Sequence, residues 1–445
     1  MKDMKRLPRK IQFPMHPFRA VLLMTVVLSS SIAVSAEISV GFARVDITPP
    51  VGGQTTLYSR APVTDGIHDP ISAQIVILKS AQHSIALAVC DLCIFNSPWL
   101  HEKVRALGFD QFLLANTHTH AGPNMGQDDF PSPEKPWRRT VEERILATVA
   151  DAQKDLFPAQ IAVSTGELQL GYNRLVRQPE GHAVTHFENP ERIPHGPVDP
   201  TVTVMRINDD TGAVRLVLVS YACHPVVLGP KNSKISAGYP GVLRDMIEDK
   251  LGNAARCVFL QGGAGDINPL MIPRSKDPEG DFAVMKTMGT LLGDQVLTIL
   301  ERMEATPGRA EKLEVRSKII EVDHRFIAGR SITVGAASIL INGDIGIVTM
   351  PGEPFHLFQE YLRDRAALPH TLFLGYCSND GYPWPSYVPD LMSAARGGYG
   401  ASDTTEAAVG TGERLLNLGV SQLYQLRGML KDKPQLHTFD KEDSK

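Results

Sequence analysis

The stretch Ala336-Ala-Ser-Ile-Leu-Ile341, Asn342-Gly343-Asp344, Ile345-Gly-Ile-Val-Thr-Met350 decides how this chain folds. Two apolar runs flank Asn-Gly, the strongest short signal for a β-hairpin, because the tight turn needs positive φ at its centre. Downstream, Phe355, Phe358, Tyr361 and Leu362 recur at helical spacing and predict a helix over Pro354–Ala367. A strand follows at Thr371–Tyr376 and runs into the polar segment Cys377-Ser-Asn-Asp-Gly-Tyr382. The unit therefore reads hairpin, helix, strand.

The same order occurs twice upstream. Ala73–Leu78 and Ile85–Val89 form a hairpin across the polar turn Lys79–Ser84. A helix at Pro98–Leu107 and a strand at Gln111–Ala115 lead into Asn116-Thr-His-Thr-His120. In the middle of the chain, Thr201–Ile207 and Ala213–Tyr221 flank Asn208-Asp-Asp-Thr-Gly212, a turn rich in the residues a reversal requires. A helix at Gly241–Leu251 and a strand at Arg256–Gln261 then run into Gly262-Gly-Ala-Gly-Asp-Ile-Asn-Pro269. The expectation is an α/β protein of mixed β-sheets flanked by helices, a single catalytic domain over residues 37–430 built from three hairpin–helix–strand units. A helix near Thr405–Leu430 closes it, and residues 431–445 form a polar tail.

Composition agrees with an ordinary globular protein: of 445 residues, 43% are hydrophobic and 21% charged. The N-terminus differs. Lys2, Lys5, Arg6, Arg9, Lys10 and Arg19 precede an apolar run, Ala20–Leu28, and the small residues Ser29–Ala36. This reads as a signal peptide over residues 1–36, and hence a secreted or periplasmic protein, not a membrane anchor, which needs about 20 apolar residues. Those six basic side chains against Asp3 leave the remainder at a net charge of −9 out of a whole-chain −4. Such a balance lacks the basic footprint of a nucleic-acid binder. Five cysteines at irregular spacing are no disulfide framework. Cys90-Asp-Leu-Cys93 has redox-motif spacing but ends an apolar strand, which favours buried free thiols.

Polar residues gather where strands run out: Asp91, His118 and His120 in the first unit, His224, Asp266 and Asn268 in the second, Glu353 and Tyr387 in the third. Strand ends beside loops are where α/β proteins build sites. Each residue admits a plainer role. His118 and His120 share a face as i and i+2, and suit either two surface imidazoles or a metal ligand with a neighbour. His224 suits either a ligand or a buried histidine bonded to the main chain. Glu353 suits either a ligand or an acid favourable to a helix N-terminus. Tyr387 and Tyr399, bracketing a Gly/Pro-rich loop, suit either packing or donation to zinc or an oxyanion. The coincidence of His118, His224 and Glu353 at comparable exits favours a two-histidine, one-carboxylate zinc set. Gly262–Asp266 is glycine-rich but lacks the Gly-Lys-Ser/Thr of a phosphate loop; close backbone approach to a site is its expected use.

Several segments together resemble the catalytic domain of the neutral, non-lysosomal ceramidases: Gly41-Phe-Ala-Arg-Val-Asp-Ile-Thr-Pro-Pro50, Asn116-Thr-His-Thr-His-Ala-Gly-Pro123, Ser236-Ala-Gly-Tyr-Pro-Gly241, Gln261–Pro269, Pro351-Gly-Glu353 and Tyr399-Gly-Ala-Ser402. The resemblance implies a zinc amidase acting on the N-acyl linkage of a sphingolipid. It implies His118, His224, Glu353 and Tyr387 as metal ligands, with Tyr382 the alternative tyrosine. It implies His120, Arg174 and Tyr399 as catalytic residues facing the substrate. Three departures stand out. Asn268 occupies the position where the family carries serine, so water is the expected nucleophile. Gly238 stands where an acid is common. The C-terminal β-sandwich of full-length ceramidases has no counterpart here.

The leading expectation is hydrolysis of an N-acyl amide of a ceramide-like lipid by water that zinc activates, with peripheral membrane contact. Its rivals are a zinc hydrolase of an ester or small non-lipid amide, and a non-catalytic lipid- or glycan-binding protein on the same scaffold.

Overall fold

The computed structural model describes residues 37–431 apart from 54–62, 124, 126–136, 253, 273–277, 304–307, 380 and 383. The expected signal peptide and the polar tail from residue 432 onward lie outside the described residues.

Each expected hairpin is antiparallel, and each helix crosses over to a parallel strand. Ser72–Lys79 pairs with Ser84–Cys90, which runs parallel to Gln111–Asn116. Thr201–Asn208 pairs with Val214–Tyr221, parallel to Arg256–Gln261. Ser331–Ile341 pairs with Ile345–Thr349, parallel to His370–Leu374. The crossover helices are Pro98–Ala106, Gly238–Leu251 and Leu357–Ala366. The unit is larger than its sequence pattern. An outer antiparallel strand precedes each hairpin, at Ser39–Asp46, Gln160–Glu167 and Leu313–Asp323. A second helix follows each unit, at Trp137–Lys154, Pro278–Arg302 and Thr411–Leu426.

Strand alternation explains the assembly. Successive side chains point to opposite faces. Ile85, Leu87 and Val89 join Leu216, Leu218, Ile339, Ile341, Leu372 and Leu374 in one core shared by all three sheets. The alternate residues Ala86, Ala88 and Cys90 pack under the helices of the first unit. Val217 and Val219 do so in the second, and Leu340 and Phe373 in the third. The sheets thus face one another, and each carries its helices on its outer face. Every fully buried aliphatic side chain contributes roughly 1.5–3 kcal/mol. A buried ion pair ties the first unit to the second: Arg244 Nη1 donates to Asp91 Oδ2 at 2.8 Å, where Ser72 N and Oγ also donate. Among the described residues, no helix is long and apolar enough to cross a membrane.

Two small pairings carry the loops that matter most. Ile267–Pro269 lies antiparallel to Gly171–Asn173, and Glu353–Pro354 lies parallel to Tyr387–Val388.

Candidate metal centre

His118 leaves the strand Gln111–Asn116 with φ +67, a region that residues other than glycine rarely enter and that costs about 1–3 kcal/mol. Main-chain bonds hold it there: Thr117 N donates to Cys90 O and His118 N to Leu92 O, both at 2.9 Å. The imidazole Nδ1 lies 2.7 Å from the Cys93 carbonyl oxygen. That oxygen only accepts, so Nδ1 carries a proton and Nε2 is the nitrogen that faces the cluster. His224 repeats the device in the second unit. Its Nδ1 lies 2.5 Å from Ala264 O and 3.2 Å from Ile267 O. His224 is therefore bonded to the main chain through Nδ1, which turns its Nε2 toward the cluster.

Both Nε2 atoms meet the same oxygen. Glu353 Oε2 lies 3.2 Å from His118 Nε2 and 3.1 Å from His224 Nε2. All three side chains are buried, and their donor atoms lie within 4.8 Å of one another. Burial, over the opposing pull of Glu353, lowers His224 to about 4. Burial alone would raise the Glu353 carboxyl, but His118 and His224 outweigh it and hold the group well below its ordinary range. Two imidazole nitrogens thus converge with a carboxylate, a donor set suited to a cation among them. Deprotonated donors are what a divalent ion requires. Zinc bonds of 2.0–2.1 Å place tetrahedral neighbours roughly 3.3 Å apart, close to the two observed separations. The residues fit the metal.

His120 sits beside this set, its Nε2 3.2 Å from that of His118. Burial, reinforced by His118 and His224, holds its pKa well below the ordinary value, so it is neutral. Cys93, His118 and His120 form a second, overlapping cluster. Burial and Glu353 push the Cys93 thiol well above its ordinary pKa, which favours the carboxylate set as the metal position. All five cysteines are buried thiols, none of them in a disulfide.

Tyr387 is buried directly opposite Glu353. Its hydroxyl interacts with Arg174 and Tyr399. Tyr382 is 43% exposed, and its main chain, not its ring, is tied to Asn96. Of the two tyrosines, only Tyr387 lies beside the cluster. The Arg174 guanidinium lies 5.2 Å from the ring centroids of both Tyr387 and Tyr399, and 5.7 Å from that of Phe187. Its Nη2 donates to Gly265 O at 2.6 Å and its Nη1 to Asn268 Oδ1 at 3.3 Å. Asn268, at the position of the family serine, therefore anchors the arginine. Tyr399 is half-buried between Phe187 and Tyr387.

The glycine loop makes the close approach expected of it. A Cβ on Gly265 would collide with the Glu353 carbonyl oxygen, and one on Gly263 would lie 2.6 Å from Phe355 O. Asp266 locks the loop in place. Its Oδ2 accepts from His356 Nδ1 at 2.7 Å and from Asn173 Nδ2 at 2.8 Å, and its Oδ1 from His356 N at 3.0 Å. Burial opposes charge on His356, but Asp266 outweighs it and raises the imidazole to about 9. Two residues of this region escape a sequence reading: His356 and Tyr376. Tyr376 lies two residues beyond the third unit's final strand, so the strand-exit rule that singled out His118 also reaches it.

No protein-family model matches the chain, and no curated protein sequence matches it significantly. Solved structures do match. Neutral ceramidase from Pseudomonas aeruginosa aligns with a TM-score of 0.70 at 18% identity, over 90% of this chain and 76% of that one. A ceramidase complexed with C2 aligns with a TM-score of 0.70 at 16% identity, over 90% and 77%. Likeness of this kind at low identity is likeness of backbone. Over nine-tenths of its length, this chain has the fold of the neutral ceramidases.

Proposed function

We propose that this protein is a zinc-dependent amidohydrolase that cleaves an N-acyl amide of the ceramide-like class. One observation carries the reading: the Nε2 atoms of His118 and His224 converge with the Glu353 carboxylate on one buried point. The shared fold with two ceramidase structures supports the lipid amide as substrate. His118, His224 and Glu353 would hold zinc, with Tyr387 as fourth ligand. Bound there, zinc supplies Lewis acidity, polarising the amide carbonyl and lowering the pKa of water to about 7.

The chain's own residues do the rest. His120, neutral and beside His118, takes the proton released by the attacking water and passes it to the leaving amine. Arg174, fixed by Gly265 and Asn268, supplies a cation behind Tyr387 and Tyr399. Tyr399 orients the substrate at the mouth of the site. Asn268 offers no nucleophile, so the acyl group is not transferred to that side chain. The basic, apolar and small-residue N-terminus supports action outside the cytoplasm, and a lipid substrate supports contact with a membrane surface.

The test is metal analysis of purified protein, with turnover of N-acylsphingosines beside small amides and esters. Stoichiometric zinc with amide cleavage is expected. Turnover of esters alone would overturn the amidase reading. Absence of both zinc and turnover in a folded sample would leave a binding protein.

A further inference from the structure

We propose that Tyr376 is a further catalytic residue of this site, its hydroxyl donating a hydrogen bond to the substrate's carbonyl oxygen as that oxygen gains negative charge. The inference rests on the amidohydrolase reading above.

Tyr376 is fully buried, and its hydroxyl has no hydrogen-bond partner among the described residues. Buried tyrosines nearly always satisfy this group, because an orphaned donor costs stability with no return. The location supplies the reason. The Tyr376 ring packs on the His118 ring with centroids 4.5 Å apart, and stands edge-on to His224 at 6.2 Å. Glu353, Tyr387, Arg174 and Cys93 all act on its hydroxyl electrostatically. The orphan therefore lies in the same chamber as the proposed ligands. Tyr387 is already engaged by Arg174 and Tyr399, which leaves Tyr376 as the phenol with an uncommitted proton.

The backbone is shaped to hold it there. Tyr376 has φ +53, in the left-handed region that aromatic residues rarely occupy. Its carbonyl accepts from Asn116 N at 3.1 Å, pinning it two residues before His118. Gly375 leaves no room for adjustment, because a Cβ there would lie 2.6 Å from Gly262 O. Strain of this kind persists where a site needs it.

Tyr376→Phe keeps the ring and removes only the O–H. Four results are expected. In chelator, the variant melts about 2 °C higher than the parent, because an orphaned polar group is gone. Its zinc stoichiometry is unchanged. Its kcat on an N-acyl amide falls about 100-fold with little change in KM. Its affinity for a phosphinate analogue of the tetrahedral state, measured by calorimetry, falls by a similar factor. Wild-type kcat and phosphinate affinity in the variant would overturn the proposal. So would a lower melting temperature with lost zinc, which would make Tyr376 structural or a ligand. A wild-type protein inactive on every amide, yet rich in zinc, would overturn the amidohydrolase reading itself.

Discussion

Tyr387 lies directly across from Glu353 in a two-residue parallel pairing, so the Glu353 carboxylate and the Tyr387 phenol are held in register by main-chain hydrogen bonds. Gly400 supports the phenol from below. It has φ +78, and a Cβ there would lie 2.8 Å from the Tyr387 ring. Gly400→Ala is expected to displace Tyr387 and weaken zinc binding about 10-fold or more, measured by chelator competition. Unchanged affinity would place Tyr387 outside the coordination sphere.

Glu353→Gln should separate metal binding from stability. The amide has nearly the carboxylate's shape but no charge, and both histidine Nε2 atoms face that position. In chelator, the variant should be less stable than the parent at neutral pH, because His118 and His224 favour the ionised carboxyl. In zinc, the gap should widen, because the parent gains more from the ion. Denaturation with and without zinc reads both. A gap that zinc leaves unchanged would place Glu353 outside the coordination sphere.

The Asp266–His356 pair predicts a pH dependence. His356 is raised from an ordinary 6.5 to about 9, so its contribution is fully present below about 6.5 and is lost as pH rises through about 9. Asp266 is lowered from 3.8, so its contribution is present above that value and fades as pH falls further. Metal-free protein should therefore lose stability between pH 6.5 and 9, and His356→Gln should flatten that slope. An unchanged slope in urea melts would show that another group titrates there.

Asp91→Ala leaves Arg244 buried without its counter-charge and should cost about 3–5 kcal/mol. Equilibrium urea denaturation measures it. Because Asp91 and Arg244 belong to different units, the loss should appear in the whole transition and not as a separate early step. A cost under about 1 kcal/mol would mean that the pair only breaks even.

Much of this architecture is legible in local sequence. Asn342-Gly343 marks a hairpin, and β-branched runs around it mark strands, because these depend on neighbours along the chain. The outer strand Leu313–Asp323 is harder to read. It is mostly half-exposed, and only its pairing with Ser331–Ile341 organises it. Helix Trp137–Lys154 carries a core stripe of Val141, Ile145, Val149 and Ala152, but it follows a polar stretch that hides where the stripe begins. The strand-exit rule brings His118, His224 and Glu353 to one place because three equivalent sheets share one core. What no local rule reaches is which atom carries a proton. That depends on the Cys93 and Ala264 carbonyls, which only tertiary packing brings to the imidazoles. His356 likewise reads as an ordinary helix-entry residue until the glycine loop delivers Asp266 to it.

The proposed protein donors come from all three units: His118 from the first, His224 from the second, Glu353 and Tyr387 from the third. No unit alone, and no intermediate with a sheet still undocked, can assemble the full coordination set. High-affinity uptake of the ion is therefore a late event on the folding route, and it marks only finished molecules. Titrating that uptake during refolding counts completed folds directly, and withdrawing the ion loosens a joint common to all three sheets at once.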